Sequence, residues 1–591
     1  PVAVSSMGYK DTFESTVVAN LDFDQKLDFI TKGLSFKALI SFKNWSYNSK
    51  YRLQGYNTYQ LTDYTKNEDG TYNYTVNSIG DATNHTLDSF FGTDGDRRFY
   101  IQGYFNYDRA FGDHHVGGML LYNQDEYNSN VNSSLLNSLP KRRMGIAVRA
   151  AYDYANRYLF EFNAGYNGSE NFAKGHRFGF FPSVSVGWNI SQEKFWEPIR
   201  NIVSNFKIRG SYGLVGNDQV PYTRFLYMGI TTLNDSPSYQ TGYGSHKESH
   251  NGPTFSRFEN EDMTWEVGHK LNVGADIQLF NSLNLTVDAF REIRSNILTT
   301  KGSIPNYLGA AKTVIYGNFA KVKNWGVDLA VDYGKQINRD LSIQFKGTFT
   351  FARNRVMETD EAADIRPALS AVGKPLNTLW GYVADGLYID EADIANNPTS
   401  TLGNITIAAG DVKYVDQPDV NGNYDGQIDS DDRVAIGHPT IPEIIYGFGP
   451  SITWKKWDFS VFFQGQANVS LMMSGFEPFG TQSKNNVLEW IAEDYWSKEN
   501  QNPNAKYPRL TKYNNNNNMQ SSTYWLRNAA FLKLKNAEVG YNFKWGRVYM
   551  SGTNLLTFSP FKLWDPEMGG GKGMAYPTQR TFNLGVQITF K

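Results

Sequence analysis

Thr581-Phe-Asn-Leu-Gly-Val-Gln-Ile-Thr-Phe590 says more about this chain than any other stretch, and only Lys591 follows it. Side chains alternate across a strand. Phe582, Leu584, Val586, Ile588 and Phe590 therefore share one face, and Thr581, Asn583, Gly585, Gln587 and Thr589 share the other. A strand of a soluble sandwich reads much the same. A chain that closes on such a strand, ending in Phe, better fits an outer-membrane β-barrel, where the apolar face meets lipid and the polar face a wet lumen.

Composition agrees. The 591 residues are 40% hydrophobic and 15% aromatic, with Tyr 37, Phe 39 and Trp 13, at a mean hydropathy of -0.49. No window holds the roughly 18 consecutive apolar residues of a membrane helix. A transmembrane barrel hides its membrane signal, because only every second residue faces lipid, and it places aromatics in interfacial girdles. On composition alone, a large soluble all-β protein stands as an equal reading. Lys+Arg 57 against Asp+Glu 59 gives a net charge of -2, without the basic tract that nucleic-acid binding requires. The absence of Cys excludes disulfides, iron–sulfur clusters, thiolate zinc sites and cysteine nucleophiles. Residue 1 is Pro and no charged-then-apolar leader follows. The expectation is the later part of a longer chain, with a cleaved leader as the alternative.

Alternating segments recur along the sequence, among them Leu34 to Phe42, Arg98 to Tyr107, Gly145 to Tyr154, Tyr158 to Tyr166, Lys270 to Leu279, Leu283 to Phe290, Ser342 to Phe351, Trp457 to Gln464 and Leu532 to Phe543. Roughly 16 to 18 have the length of a tilted membrane-crossing strand. Many are joined by short polar links of the antiparallel hairpin kind: Tyr154 to Arg157, Phe280 to Ser282, Lys455-Lys456 and Lys544 to Gly546. Residues 216–262, 355–378, 390–442 and 466–528 lack sustained periodicity, and the last includes the run Asn514 to Asn518. Loops of this length count against a compact soluble domain. Short turns on one rim and long loops on the other are the pattern of a membrane barrel. The expected fold is all-β, a transmembrane antiparallel barrel spanning 1–591 with those four extracellular loops.

Several blocks resemble the SusC/RagA-type TonB-dependent transporters of Bacteroidota. "LDFITKGLSFKALISF" at 27–42 looks like an early barrel hairpin of that family, and 157–191 resembles its "rY…DGS…F…FPs…gW.is" block, with Asn167-Gly168-Ser169 where Asp-Gly-Ser is usual. "YGLVGND" at 212–218, Trp265-Glu266 and Gly373-Lys374-Pro375 through "LWGYVADGLY" follow in family order. The most specific set is C-terminal: "YPRL" at 507–510, "WLRNAAFLKLKNAEVGYNF" at 525–543, "VYMSGTNLLTFSPF" at 548–561, "DPE" at 565–567 and "YPTQRTFNLGVQITF" at 576–590.

The resemblance implies most of a 22-stranded barrel, with its plug domain and first strands outside this chain. It implies import of oligosaccharides or oligopeptides under a SusD-like surface lipoprotein lid, driven by a TonB–ExbB–ExbD complex acting on the absent region. A dimer of transporter–lid pairs is expected on the same ground. Such a protein is no enzyme and needs no cofactor. A passive porin or adhesin barrel is the alternative, and a soluble glycan-active enzyme a third reading.

One local motif has its own physics. Asn421, Asn423, Asp425, Gln427, Asp429 and Asp432 fall at positions 1, 3, 5, 7, 9 and 12 of a calcium loop, with Gly426 at the tight-turn position. Asn at position one and the shorter Asp at twelve depart from that pattern. The two readings are a weak structural Ca2+ site and an Asx-rich turn held by its own hydrogen bonds.

Catalytic patterns are lacking. The eight His form no H-E-x-x-H, and no G-x-S-x-G elbow occurs. Tyr222, Phe225, Tyr227, Tyr239, Tyr243, Trp380, Tyr382, Phe476, Phe479, Trp490 and Trp496 lie in the long loops. They read as stacking platforms for cargo or as packing between loops, with packing the stronger expectation for any single residue.

Overall fold

In the computed structural model, residues 8–55, 57–80, 88–130, 135–220, 224–302, 315–362, 365–403, 405–475, 488–511 and 515–590 are described. Among the described residues, seventeen strands take part in the long antiparallel ladders. The segments quoted above for their alternation lie in them, except that the last strand ends at Ile588, short of Phe590, and most strands run several residues further than the alternation reaches.

The chain forms two compact units: Pro1–Ala151 with Asn163–Phe180 and Asp218–Tyr227, and Tyr152–Phe162 with Phe181–Asn217 and Met228–Lys591. In the first, Gly8–Lys26, Leu34–Leu53, Asp88–Phe111 and His114–Ser129 pair in succession, all antiparallel. The early hairpin is therefore larger than 27–42: residues 27–33 are its turn, and Gly8–Lys26 is its first strand. In the second, the ladder starts with Ser183–Asn189 against Lys207–Gly213. It continues through Glu266–Leu279, Leu283–Thr300, Tyr316–Asn338, Leu341–Glu358, Ile444–Trp454, Trp457–Ala467, Phe531–Phe543 and Gly546–Phe558 to Thr581–Ile588.

The short turns are where the sequence places them. Arg157 N–H donates to Tyr154 O at 2.9 Å, and Ser282 N–H to Leu279 O at 3.0 Å. Ala155 and Asn156 sit at φ 51° and 55°, and Phe280 and Asn281 at 52° and 53°. Left-handed backbone at both central residues is the two-residue hairpin geometry whose twist matches the flanking strands. Neighbouring turns of this rim are tied together: Phe280 N–H to Ile202 O, Gly334 N–H to Ser282 O, Lys455 N–H to Asp340 O, Asn542 N–H to Lys456 O and Thr589 N–H to Trp545 O, at 2.6–2.8 Å.

Two-fold alternation separates the faces. Tyr158, Phe160, Phe162 and Tyr166 are exposed along one strand, while Leu159, Glu161 and Asn163 between them are not. Along the final strand Phe582, Leu584, Val586 and Ile588 are exposed, but so are Thr581, Asn583 and Gln587, so burial does not separate the faces there. A wall that turns its apolar residues outward needs an apolar solvent, and lipid supplies it. Trp454, Trp457, Trp545 and Phe280 stand exposed at the short-turn rim, with the Trp457 and Tyr541 rings edge-to-face at 5.0 Å, an arrangement suited to a membrane interface.

Buried hydrophobic side chains gather instead in the long connections. Three of these depart from the aperiodic reading. Residues 216–262 contain a hairpin, Ile230–Thr241 against Glu248–Arg257. Residues 390–442 and 466–528 contribute to a packed assembly with short strands of its own. A further long connection, between Leu53 and Asp88, carries the hairpin Thr58–Lys66 with Tyr72–Gly80, which was not among the four expected loops.

Candidate functional site

The inward face of the strands is built from charge ladders. Arg209 reaches Asp276 on one neighbouring strand at 3.2 Å, and Asp288 on the next through two bonds of 2.6 and 2.7 Å. Ile208 and Val287, adjacent to Arg209 and Asp288, and Val273, three positions before Asp276, are exposed, so alternation places Arg209, Asp276 and Asp288 on the opposite, polar face. Arg547 makes the same junction with Asp458 and Glu538 on the two preceding strands. Arg353 grips the buried Glu443 through a bidentate pair at 2.6–2.7 Å, and Asn468 adds a bond to the same carboxylate. A planar guanidinium matches two carboxylate oxygens at once. Each junction thus fixes strand register while leaving a polar, hydrated wall.

Beside this wall stands a loop assembly. Leu379–Gly381 pairs with Val434–Ile436, Ala384–Leu387 with Val412–Tyr414, and Ser470–Met472 with Leu526–Asn528. One cluster joins Tyr382, Leu387, Val412, Tyr414, Ile428 and Trp496, and a second joins Val469, Leu471, Met473, Ile491, Tyr507 and Trp525. Burial pushes the Tyr507 phenol up to about 12 and the Tyr414 phenol up as well. Both stay neutral donors at physiological pH, and Tyr414 donates to Asn517 O at 2.6 Å.

The asparagine run is the centre of this assembly. Asn515, Asn517 and Asn518 are fully buried. Asn515 and Asn518 donate to the Asp411 carboxylate at 2.8 and 2.9 Å, Asn517 donates to Val412 O, and Val412 N–H donates to the Asn518 side chain. Arg509, from the "YPRL" block, completes the shell of Asp411. The "DPE" block has a comparable role: Asp565 and Glu567 both accept from the wholly buried Lys533 of the "WLRNAAFLKLKN" block.

The loop 421–432 is organised by Asx bonds. Gly422 and Gly426 take φ of 85° and 75°. Asn421 and Asn423 donate their N–H groups to Asp419, Asp425 accepts from Gln427 N–H, and Asp429 accepts from Asp431 N–H. Asp432 is buried, accepts from Gln417 and Asp429 N–H at 2.7 Å, and burial pushes its carboxyl up. Asp429 and Asp432 meet in a reciprocal cap. Among the described residues no three His, Asp or Glu side chains converge to hold a metal ion.

Of the loop aromatics, Phe225, Tyr382 and Trp496 are buried, and Trp490 packs on Tyr507 at 5.0 Å. Tyr239 and Tyr243 are exposed on the 230–257 hairpin. Tyr222, Phe476 and Phe479 lie outside the described residues.

An outward apolar wall, an inward polar wall and a packed loop assembly define an outer-membrane strand protein. The sequence matches the TonB dependent receptor-like, beta-barrel family over residues 5–555, and the chain belongs to that family. TonB-dependent receptor P3 of Formosa agariphila is 26% identical over 479 residues, covering 75% of this chain and 45% of that protein. TonB-dependent receptor SusC of Bacteroides thetaiotaomicron is 24% identical over 464 residues, covering 75% and 43%. The chain thus aligns with less than half the length of these curated relatives. Among solved structures, the RagAB peptide transporter has a TM-score of 0.72 at 19% identity, covering 98% of this chain and 62% of that one. The fold is that of the SusC/RagA-type barrel, and its place is the outer membrane.

Proposed function

We propose that this chain is the barrel portion of a SusC/RagA-type importer that carries oligosaccharides or oligopeptides across the outer membrane. The observation that carries this reading is the pairing of a polar, charge-laddered inner wall with a packed loop assembly in a member of the TonB-dependent family. Such a wall offers hydrogen-bond partners to a polar cargo, and a preorganised loop assembly binds without an ordering penalty. Nothing covalent is required of the chain. A Ca2+ ion in loop 421–432 would serve only to stiffen it.

In this reading a SusD-like lipoprotein covers the loops, TonB–ExbB–ExbD supplies energy through a region outside this sequence, and two transporter–lid pairs associate. The test is gentle detergent extraction of the native complex followed by mass spectrometry of everything that copurifies. A lipidated partner of SusD size together with upstream sequence of the same chain supports the importer, and a retained glycan or peptide identifies the cargo class. Recovery of the protein alone, with uptake indifferent to loss of TonB, would overturn it in favour of a passive barrel.

A further inference from the structure

At the long-loop end of the first unit, a cleft of about 470 Å3 opens between the ends of four strands and the segment before Met228. Its apolar lining includes Leu139, Met144, Phe178 and Phe225. Its charged lining is three arginines, Arg142, Arg143 and Arg177, with a single carboxylate, Glu170.

Alternation fixes which way this cleft faces. On Lys141–Tyr154 the exposed apolar set is Met144, Ile146, Val148 and Tyr152, so Arg142 is the next position on the lipid-facing side. On the strand beginning at Phe178, Phe178 and Phe180 are both exposed. Arg143 and Arg177, one position from Met144 and Phe178, fall on the opposite side by the same alternation, so the cleft joins the lipid-facing belt at Arg142, Met144 and Phe178 and takes Arg143 and Arg177 from the edge of the polar face.

The single carboxylate is already committed. Glu170 accepts from the buried Arg224 and from Arg142 N–H. Arg142 and Arg143 pair with Glu126 and Asp218 at 2.8 Å, yet each side chain stays more than half exposed, at 58% and 56%. A guanidinium has five donors in a planar fork, so one ion pair leaves capacity toward a second anion. The volume suits a headgroup and its first methylenes, and is too small for a folded partner.

We propose that this cleft holds an anionic membrane lipid, with its headgroup against Arg142, Arg143 and Arg177 and an acyl chain laid along Met144 and Phe178. An apolar floor joined to a cationic rim at the membrane surface is complementary to that amphiphile and to neither of its halves alone.

The test uses the full-length transporter in nanodiscs of phosphatidylglycerol or phosphatidylcholine, with retained lipid counted by native mass spectrometry. Wild type is expected to retain phosphatidylglycerol in preference to phosphatidylcholine. The double variant R142Q/R143Q should lower phosphatidylglycerol retention by about tenfold. M144W, which fills the floor and leaves the charge unchanged, should lower it as well, with heat-modifiable gel migration confirming that each variant folds. Equal retention of the two lipids, or equal retention by wild type and both variants, overturns the proposal. So does displacement by millimolar inorganic phosphate, which assigns the arginines to a soluble anion, or a dimer that dissociates in R142Q/R143Q without any change in lipid, which assigns the face to a second copy.

Discussion

Asp411 and Arg509 meet inside the loop assembly, where the Asp411 carboxylate is wholly buried and receives Arg509 Nε at 2.7 Å and Nη2 at 3.0 Å. Asn515 and Asn518 donate to the same Oδ1 as Arg509 Nε, and Ala408 N–H donates to Oδ2 at 2.9 Å beside Arg509 Nη2. One buried charge therefore ties residues near 411 to residues near 509 and 518, about a hundred positions along the chain. Removing one member of such a set leaves the others desolvated without a partner, which costs about 3–5 kcal/mol.

Asp411→Ala is accordingly expected to loosen the assembly while sparing the strands. Limited proteolysis should cut within 390–442 and 488–530, while heat-modifiable migration of the barrel stays unchanged. Wild-type protease resistance in the variant would show that the two hydrophobic clusters hold the loops without this charge.

The contrast between strands and loops explains what the sequence could reveal. Strand identity rests on alternation between residues two apart, as in Phe582, Leu584 and Val586, and turn identity on adjacent residues such as Ala155-Asn156. Both are local, so both were legible. Gly8–Lys26 is missing from the expected strands although Tyr9, Phe13, Val17, Leu21 and Phe23 alternate there, because charged and small residues interrupt the apolar set. The asparagine run read as loop because Asn favours turns. Its burial is decided by Asp411, which no local pattern connects to it. The blocks "YPRL" and "DPE" marked a family in sequence, and only the structure shows that each supplies the counter-charge to a buried partner.

The Lys533–Asp565–Glu567 cluster predicts an acid-sensitive tether. Burial alone would raise the Asp565 carboxyl, but its bonds to Lys533 and to Glu567 N–H outweigh that and hold it below the usual aspartate value. A folded pKa below the unfolded one contributes stability that is present above the ordinary carboxylate range and is lost as pH falls through the folded value. The hydrogen-exchange protection factor of residues 560–573, which divides out the intrinsic pH dependence of amide exchange, should therefore fall on acidification in wild type. In Lys533→Met it should be low already at neutral pH, with little further change in acid. A pH-independent wild-type profile would refute the assignment.

Face assignment can be tested on one strand with adjacent residues. Val186 is exposed and Ser185 half-buried, placing Val186 toward lipid and Ser185 toward the polar wall. Val186→Lys is expected to destabilise the barrel by about 2–4 kcal/mol if it lies near the bilayer midplane. Ser185→Lys should be tolerated. Urea unfolding in lipid vesicles, followed by loss of heat-modifiable migration, measures both, and the reverse order would invert the assignment of inside and outside.

The hairpin at Ala155-Asn156 carries a cost that a single substitution can expose. Ala155 occupies the left-handed region at φ 51°, where an L side chain other than Gly, Asn or Asp costs about 1–2 kcal/mol. Ala155→Gly relieves that strain and gives back part of the gain through a freer unfolded chain, for a net stabilisation of about 0.5–1 kcal/mol. Ala155→Val, whose branched Cβ tolerates this conformation worst, should destabilise by more than that. The pair of urea midpoints measured in one lipid system provides the comparison. If Gly and Val shift the midpoint in the same direction, backbone strain at this turn is not what the substitutions report. The side chain would then matter for its contact with the membrane surface.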